Sequence, residues 1–330
     1  MPKSRTVREH MLKRFLSFCL LGLLSLWLQN SWAAALTPLV SASELAAKLK
    51  EPNNQVRVLD IRKATSYKDN HIEIASNAPF EEWRGPTSNP AQLPSLEKLT
   101  QLMQKHGLTA SSPTVLVSTG VDSIDFGTAA WVYWILKEHG IKEVSILNGG
   151  MKAWLHAGQP YDDEVIKISA TTFVPVRSGK WTADRAEVAK AVSSGLVAVM
   201  DSRPETFFNG DTRHALVKVP GTIKGASNLS FEKWFIPNHP NFASFVSPDT
   251  VKKVWAASGV KAQTPTIAFC NTGHWSAINW FATSELLGQP NAKLYAGSMQ
   301  DWSQDASLTM SNVPNRAKQL MIDAKLWSDK

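Results

Sequence analysis

The feature that most constrains this chain of 330 residues is that one order of segments occurs in it twice. The first half runs VRVLDIR (56–62), APFEEW (78–83), VLVSTG (115–120), FGTAAWVYWILKEHG (126–140) and VSILNGGMKAW (144–154). The second runs VAVMDSR (197–203), SNLSFEKW (227–234), TIAFCNTG (266–273), SAINWFATSELLG (276–288) and AKLYAGSMQDW (292–302). The closing segments keep the same Met-to-Trp spacing, Met151 with Trp154 and Met299 with Trp302. Five segments repeated in order are better explained by duplication of one domain than by a single large sheet, and the length independently suits about two domains.

Within each half, short runs of Val, Ile and Leu alternate with helical patterns. VRVL, TVLV and VSIL carry few charges, as strands buried on both faces of a parallel sheet do. The segment through Ala130 and Trp134 reads as a helix closed by Gly140, a residue suited to the position just past a helix end. Ile278, Phe281, Ala282 and Leu286 have helical spacing and end at Gly288. Strand–helix alternation predicts an α/β fold: two tandem domains, each a mostly parallel sheet flanked by helices. Ser, Thr, Pro and Gly concentrate between Asp162 and Lys180. The expected boundaries are a leader at 1–35, a first domain at 36–165, a linker at 166–180 and a second domain at 181–330. Residues 304–330 carry little information beyond a terminal helix or tail.

Lys13 and Arg14 precede an uncharged apolar run, residues 15–28, followed by QNSWAAAL. A basic start, a short apolar stretch and an A-x-A-like site describe a secretory signal peptide, with cleavage expected after Ala33 or Ala35. The run is shorter than the ~20 residues a membrane-crossing helix needs, and Phe18 stands before Cys19 where lipidation calls for a small residue. The expectation is therefore a periplasmic or secreted protein with no stable membrane association after cleavage. The formal charge of +7 falls to +3 without the first 33 residues, and no dense Lys/Arg block remains. That argues against nucleic-acid binding, which concentrates positive charge.

Beyond the leader one cysteine remains, Cys270. In an oxidising compartment a solitary thiol points to a reactive group or an intermolecular partner. Cys270 ends the apolar run TIAF, and Ser276 onward reads as a helix, so residues 271–275 form a loop. Ligands of open α/β sheets bind at the carboxyl ends of strands. N–H groups at a helix start have no intrahelical partner, and Gly273 permits a turn in which successive N–H groups converge on an anion. A thiolate so placed is a nucleophile, and the same donors can hold an anionic intermediate.

On these residues the chain from about 40 to 303 resembles the tandem-domain rhodanese sulfurtransferases. CNTGHWS stands where that family has its catalytic cysteine and loop. LDIR (59–62) and MDSR (200–203) resemble its domain openings, and PFEEWRG (79–85) resembles its PY-x-x-WRG segment. The resemblance implies transfer of sulfane sulfur from a small-molecule donor such as thiosulfate to cyanide or a thiol, through a persulfide on Cys270. Asn271, Thr272, Gly273, His274, Trp275 and Ser276 would bind substrate and persulfide, with Arg203 in possible support. No metal or organic cofactor is expected. VSTGVDS (117–123) has no cysteine, so the first half resembles the family's inactive domain, packed against the active one.

The loop fits neither common member type. Thiosulfate users carry basic loop residues, and mercaptopyruvate users have Gly after the cysteine. Here His274 is the loop's other titratable group and could assist an anionic donor, while Trp275 could wall the pocket or anchor the domain interface. Phe207 stands where thiosulfate enzymes place a donor-binding arginine. Ala296 replaces a family aspartate and Met299 a tryptophan. Arg213, His214 and Lys218 could restore positive charge. These departures leave open an alternative, a non-turnover sulfur-carrier or binding module. A cysteine phosphatase is disfavoured, because Ser276 stands where such a loop needs a phosphate-binding arginine.

Overall fold

The apolar runs become the inner strands of two parallel sheets in the computed structural model, which describes residues 35–328. The expected leader, apart from Ala35, lies outside the described residues. In the first half β1 (Leu39–Val40), β2 (Arg57–Asp60), β3 (Ala75–Asn77), β4 (Thr114–Val117) and β5 (Val144–Leu147) line up in the order β1-β5-β4-β2-β3, every pair parallel. In the second half β6 (Ala198–Asp201), β8 (Ser227–Asn228), β9 (Thr266–Phe269) and β10 (Ala292–Leu294) give the order β10-β9-β6-β8, again parallel. Thr182 bridges Leu294 at the position that β1 takes against β5, so the two topologies correspond edge to edge. A separate antiparallel pair joins β7 (Thr222–Ile223) to β11 (Met310–Ser311).

The duplication extends to single hydrogen bonds. Arg62 pairs with Asp60 at 2.6 Å, and Arg203 pairs with Asp201 at 2.6 Å. Asn77 Nδ2 donates to the carbonyls of Asp60 and Arg62, and Asn228 Nδ2 to those of Asp201 and Arg203. Ser118 occupies in the first half the place of Cys270: its carbonyl accepts the Met151 N–H, as the Cys270 carbonyl accepts the Met299 N–H.

Most long helices start where a short polar side chain can satisfy the free N–H groups of the first turn. These are α1 (Ala42–Leu49), α3 (Leu96–Lys105), α4 (Ser123–Glu138), α6 (Arg185–Ser194), α8 (Pro248–Ala257) and α11 (Arg316–Ser328). Their caps are Ser41, Ser95, Asp122, Asp184, Ser247 and Asn315, each accepting an N–H three residues on. The shorter helices are α2 (Ala64–Asp69), α5 (Gly150–His156), α7 (Glu205–Phe208), α9 (His274–Trp280) and α10 (Ser298–Trp302). Helix α9 starts two residues earlier than the sequence reading placed it and continues as a wider π-helical turn over Phe281–Leu286.

The linker region is fixed to the first half. Thr171 N–H donates to Gln104 O, and the buried carboxylate of Glu138 accepts the N–H groups of Gly179 and Trp181. Helix α4 is apolar on all sides because it lies between the halves. Its Trp131 and Trp134 share one continuous core with Trp83 from the first half and Trp234, Trp280 and Phe281 from the second. Truncating any one of these fully buried indoles would cost about 3–5 kcal/mol. Tyr133 Oη donates to Glu285 at 2.7 Å, and Ala243 N–H to Gly120 O at 2.9 Å, so polar contacts also tie the halves together.

Candidate active site

Cys270 sits one residue past β9, at the carboxyl end of the second sheet, and is 1% exposed. Its N–H donates to Ser298 Oγ at 3.0 Å, and Ser298 Oγ in turn donates to Tyr295 O. Ser298 holds a left-handed backbone (φ +51°), where the first half has Gly150 (φ +55°). A serine there costs about 1–3 kcal/mol of backbone strain, and the residue in return fixes the cysteine's backbone. The sequence reading did not assign Ser298 a role; the change from NGG to AGS between the repeats was the available signal.

After Cys270 the chain turns at once into α9. Gly273 is left-handed (φ +88°), and a Cβ there would lie 2.4 Å from Trp131 Cζ3 and 2.9 Å from Ala296 O, so both conformation and space require glycine. Unlike the helices capped by a side chain, α9 has no such cap. Its first intrahelical donor is Ala277 N–H, to Gly273 O, which leaves the N–H groups of His274, Trp275 and Ser276 ahead of the ladder. Ser276 Oγ lies 3.5 Å from Cys270 Sγ and 3.0 Å from Gly273 O, and its one proton can serve either. Asn271 is buried; its Oδ1 accepts from Arg203 Nη1 at 3.3 Å, and its Nδ2 has no partner among the described residues. A buried donor without an acceptor is costly, and a bound ligand would relieve that cost.

Cys270, Asn271, Thr272, His274 and Trp275 line a pocket of about 570 Å³. Arg203 does not line it. Fully buried, it spends its guanidinium on Asp201, Gly221 O and Asn271, and so braces the loop from behind. Trp275 stacks on Phe231 (centroids 4.9 Å apart, planes 15°) and meets Phe207 edge-on, so it is both anchor and wall.

The other wall comes from the first half and was missed in the sequence. Glu81, Arg84, Gly85, Pro86 and Ile124 line the same pocket, and Arg84 is its full positive charge. Arg84 lies over the faces of Phe80 and Trp131 and donates through Nε to Pro90 O at 3.1 Å. Burial pulls its guanidinium below the ordinary arginine value while negative charge on Cys270 pushes it back up; it remains a cation at neutral pH. The signal was present in PFEEWRG, but nothing local in that segment shows that the arginine crosses to the other half's cysteine.

His274, the loop residue that could assist an anionic donor, lines the pocket. Its ring packs on Gly127, where a Cβ would come within 2.3 Å of Cδ2. Arg84 Nη1 donates to Nδ1 at 3.4 Å, so the proton is on Nε2 and is given to Ile124 O at 2.8 Å. Enclosure, and then Arg84, drive its pKa down to about 4, and the bond to Ile124 O opposes this. His274 is thus neutral and locks the two halves together. Arg213 is also directed elsewhere, onto Asp323 and the carbonyls of His214 and Val217, while His214 does line the pocket. Among the described residues no three His, Cys, Asp or Glu side chains gather as metal ligands.

His274 and the buried His106, also pushed down to about 4 mainly by burial, make stability pH-dependent. In the unfolded chain both titrate near 6.5. Between these values the unfolded chain binds more protons, so stability falls as pH drops below about 6.5 and the loss is complete below about 4. The loss should be larger for the fully buried His106 than for the partly exposed His274. Thermal midpoints measured from pH 7.5 to 4.5 should decline accordingly; a level profile would contradict the enclosure of both rings.

A model of the rhodanese-like domain matches residues 41–157 and again 184–305, so the chain belongs to the rhodanese-like family and carries the domain in tandem. A Synechococcus elongatus protein assigned as a thiosulfate sulfurtransferase is 26% identical over 328 residues, covering 94% of this chain and 99% of the relative. The sulfur carrier protein TtuD of Thermus thermophilus is 27% identical over 278 residues, covering 80% and 93%. Among solved structures, the anaerobic ergothioneine biosynthesis enzyme of Chlorobium limicola superposes with a TM-score of 0.72 at 21% identity, over 84% of this chain and 71% of that one. That last likeness speaks for the fold alone.

Proposed function

We propose that this chain is a sulfurtransferase that carries sulfane sulfur on Cys270. The observation that carries the reading is the meeting in one pocket of the one cysteine among the described residues, the loop and first residues of α9, which has no side-chain cap, and Arg84. The Cys270 thiolate attacks the outer sulfur of an anionic donor. With thiosulfate, the sulfur–sulfur bond of the donor breaks, its electron pair leaves on sulfite, and Cys270–S–S⁻ remains. Arg84 holds the donor's anionic group, and the loop N–H groups hold the persulfide charge. A thiophilic acceptor, cyanide or a thiol, then attacks the outer sulfur and regenerates the thiolate. The two half-reactions give ping-pong kinetics.

Mass spectrometry of the protein after thiosulfate, and separately after 3-mercaptopyruvate, tests this. The expected result is a gain of one sulfur on Cys270, removed by cyanide. No gain with either donor would sink the reading. A second reading, a sulfur carrier with little turnover, is favoured by Phe207, which fills the family's donor-arginine position beside Trp275, and by the likeness to TtuD. Sulfur that loads and is not released to cyanide or small thiols would select it. The basic and apolar start of the sequence supports action outside the cytoplasm.

A further inference from the structure

The segment after residue 305, beyond the second family match, packs on the loop that supplies His214 and Leu216 to the pocket. Strand β11 pairs with β7, and helix α11 lies against the loop 209–218. Two ion pairs hold it there: Asp323 with Arg213 at 2.8 Å and Lys318 with Asp211 at 2.5 Å. Arg213 gives both Nε and Nη2 to Asp323 Oδ1, and its Nη1 reaches the carbonyls of His214, Ala215 and Val217. One side chain therefore shapes the turn that presents His214 and Leu216 to the pocket. Within that turn the Leu216 N–H donates to His214 Nδ1 at 3.2 Å. A neutral imidazole that accepts at Nδ1 carries its proton on Nε2. That N–H has no partner among the described residues, and the ring shares the pocket with Arg84 and Cys270.

We propose that His214 binds the donor's anionic group through Nε2–H, and that α11 sets this contact through Asp323 and Arg213. The proposal rests on the sulfurtransferase reading for the identity of the anion. His214 is then a donor-binding residue, while Arg213 and Asp323 are positioning residues outside the pocket. The arrangement supplies a hydrogen bond in place of a second charge, beside the Phe207 ring that the Arg203 guanidinium faces at 5.8 Å.

The test follows the rate of sulfur loading on Cys270 against thiosulfate concentration. His214→Ala should raise the half-saturating concentration about ten-fold, the scale of one hydrogen bond to a charged group, and change the limiting rate much less. His214→Gln, which keeps a donor near the Nε2 position, should recover part of the loss. Asp323→Ala should act in the same direction, Asp323→Glu should restore binding, and adding Asp323→Ala to His214→Ala should change little further. Unchanged half-saturation in His214→Ala, or independent effects in the double variant, would overturn the proposal. A second measurement works without any sulfur donor: the ratio of Cys270 alkylation rates by iodoacetate and by neutral iodoacetamide. That ratio should fall in both single variants; a constant ratio would count against His214. Absence of sulfur loading in the unmodified protein would instead reject the sulfurtransferase reading, leaving the alkylation ratio to decide on His214.

Discussion

Cys270→Ser protein should take up no sulfur from any donor, and its turnover should fall by about four orders of magnitude or more, the scale seen when a catalytic nucleophile is removed. The hydroxyl is a far weaker nucleophile at neutral pH, and oxygen forms no persulfide. The substitution should leave the surroundings in place, because the residue's backbone bonds, N–H to Ser298 Oγ and carbonyl to Met299 N–H, do not involve the sulfur. An unchanged thermal midpoint would confirm that the loss is chemical. Residual sulfur transfer above one per cent would remove Cys270 from the mechanism. No other described cysteine is available to substitute for it.

Arg84→Ala should give the second largest loss, about 10²-fold in kcat/KM for an anionic donor. That is the range for deleting one preorganised donor from a water-poor site. The effect should appear with thiosulfate and be much smaller in the alkylation of Cys270 by neutral iodoacetamide. Arg84→Lys keeps the charge but loses the bond to Pro90 O and the planar contact with Phe80 and Trp131, so it should recover only part of the activity. A loss under threefold in Arg84→Ala would show that the first half supplies shape without charge.

The two predictions divide along what the sequence made legible. The position of Cys270, after a strand and before a helix, was readable because its signals are local: an apolar run, a thiol, a glycine and a helical pattern within about a dozen residues. The strands were readable for the same reason, since RVLD, TVLV and VSIL are buried on both faces and show no competing periodicity. Arg84 was not, because its neighbours at the site are separated from it by some 190 residues. The packing of α4 on α9, the most extensive contact between helices, brings them together. The start of α9 was placed late because a helix that opens on Gly273 has no Ser, Asp or Asn to mark it. The surroundings of His274 were not legible, because they are made by Gly127, whose missing side chain gives no sequence signal of the ring that fills the space. The small polar residues of AGS and the tail beyond 305 were equally silent, since their effects depend on what they touch.

The continuous core between the halves bears on how such a duplication can age. A copy that has Ser118 where its twin has Cys270 is ordinarily free to drift. Here it is not, because Trp83 and Trp131 share the core of its twin, and Gly127 and Trp131 pack on its twin's loop at His274 and Gly273. A harmful substitution in the first copy would be felt as a displaced loop in the second. The first half is thus held to its sequence by the shape of its twin's loop.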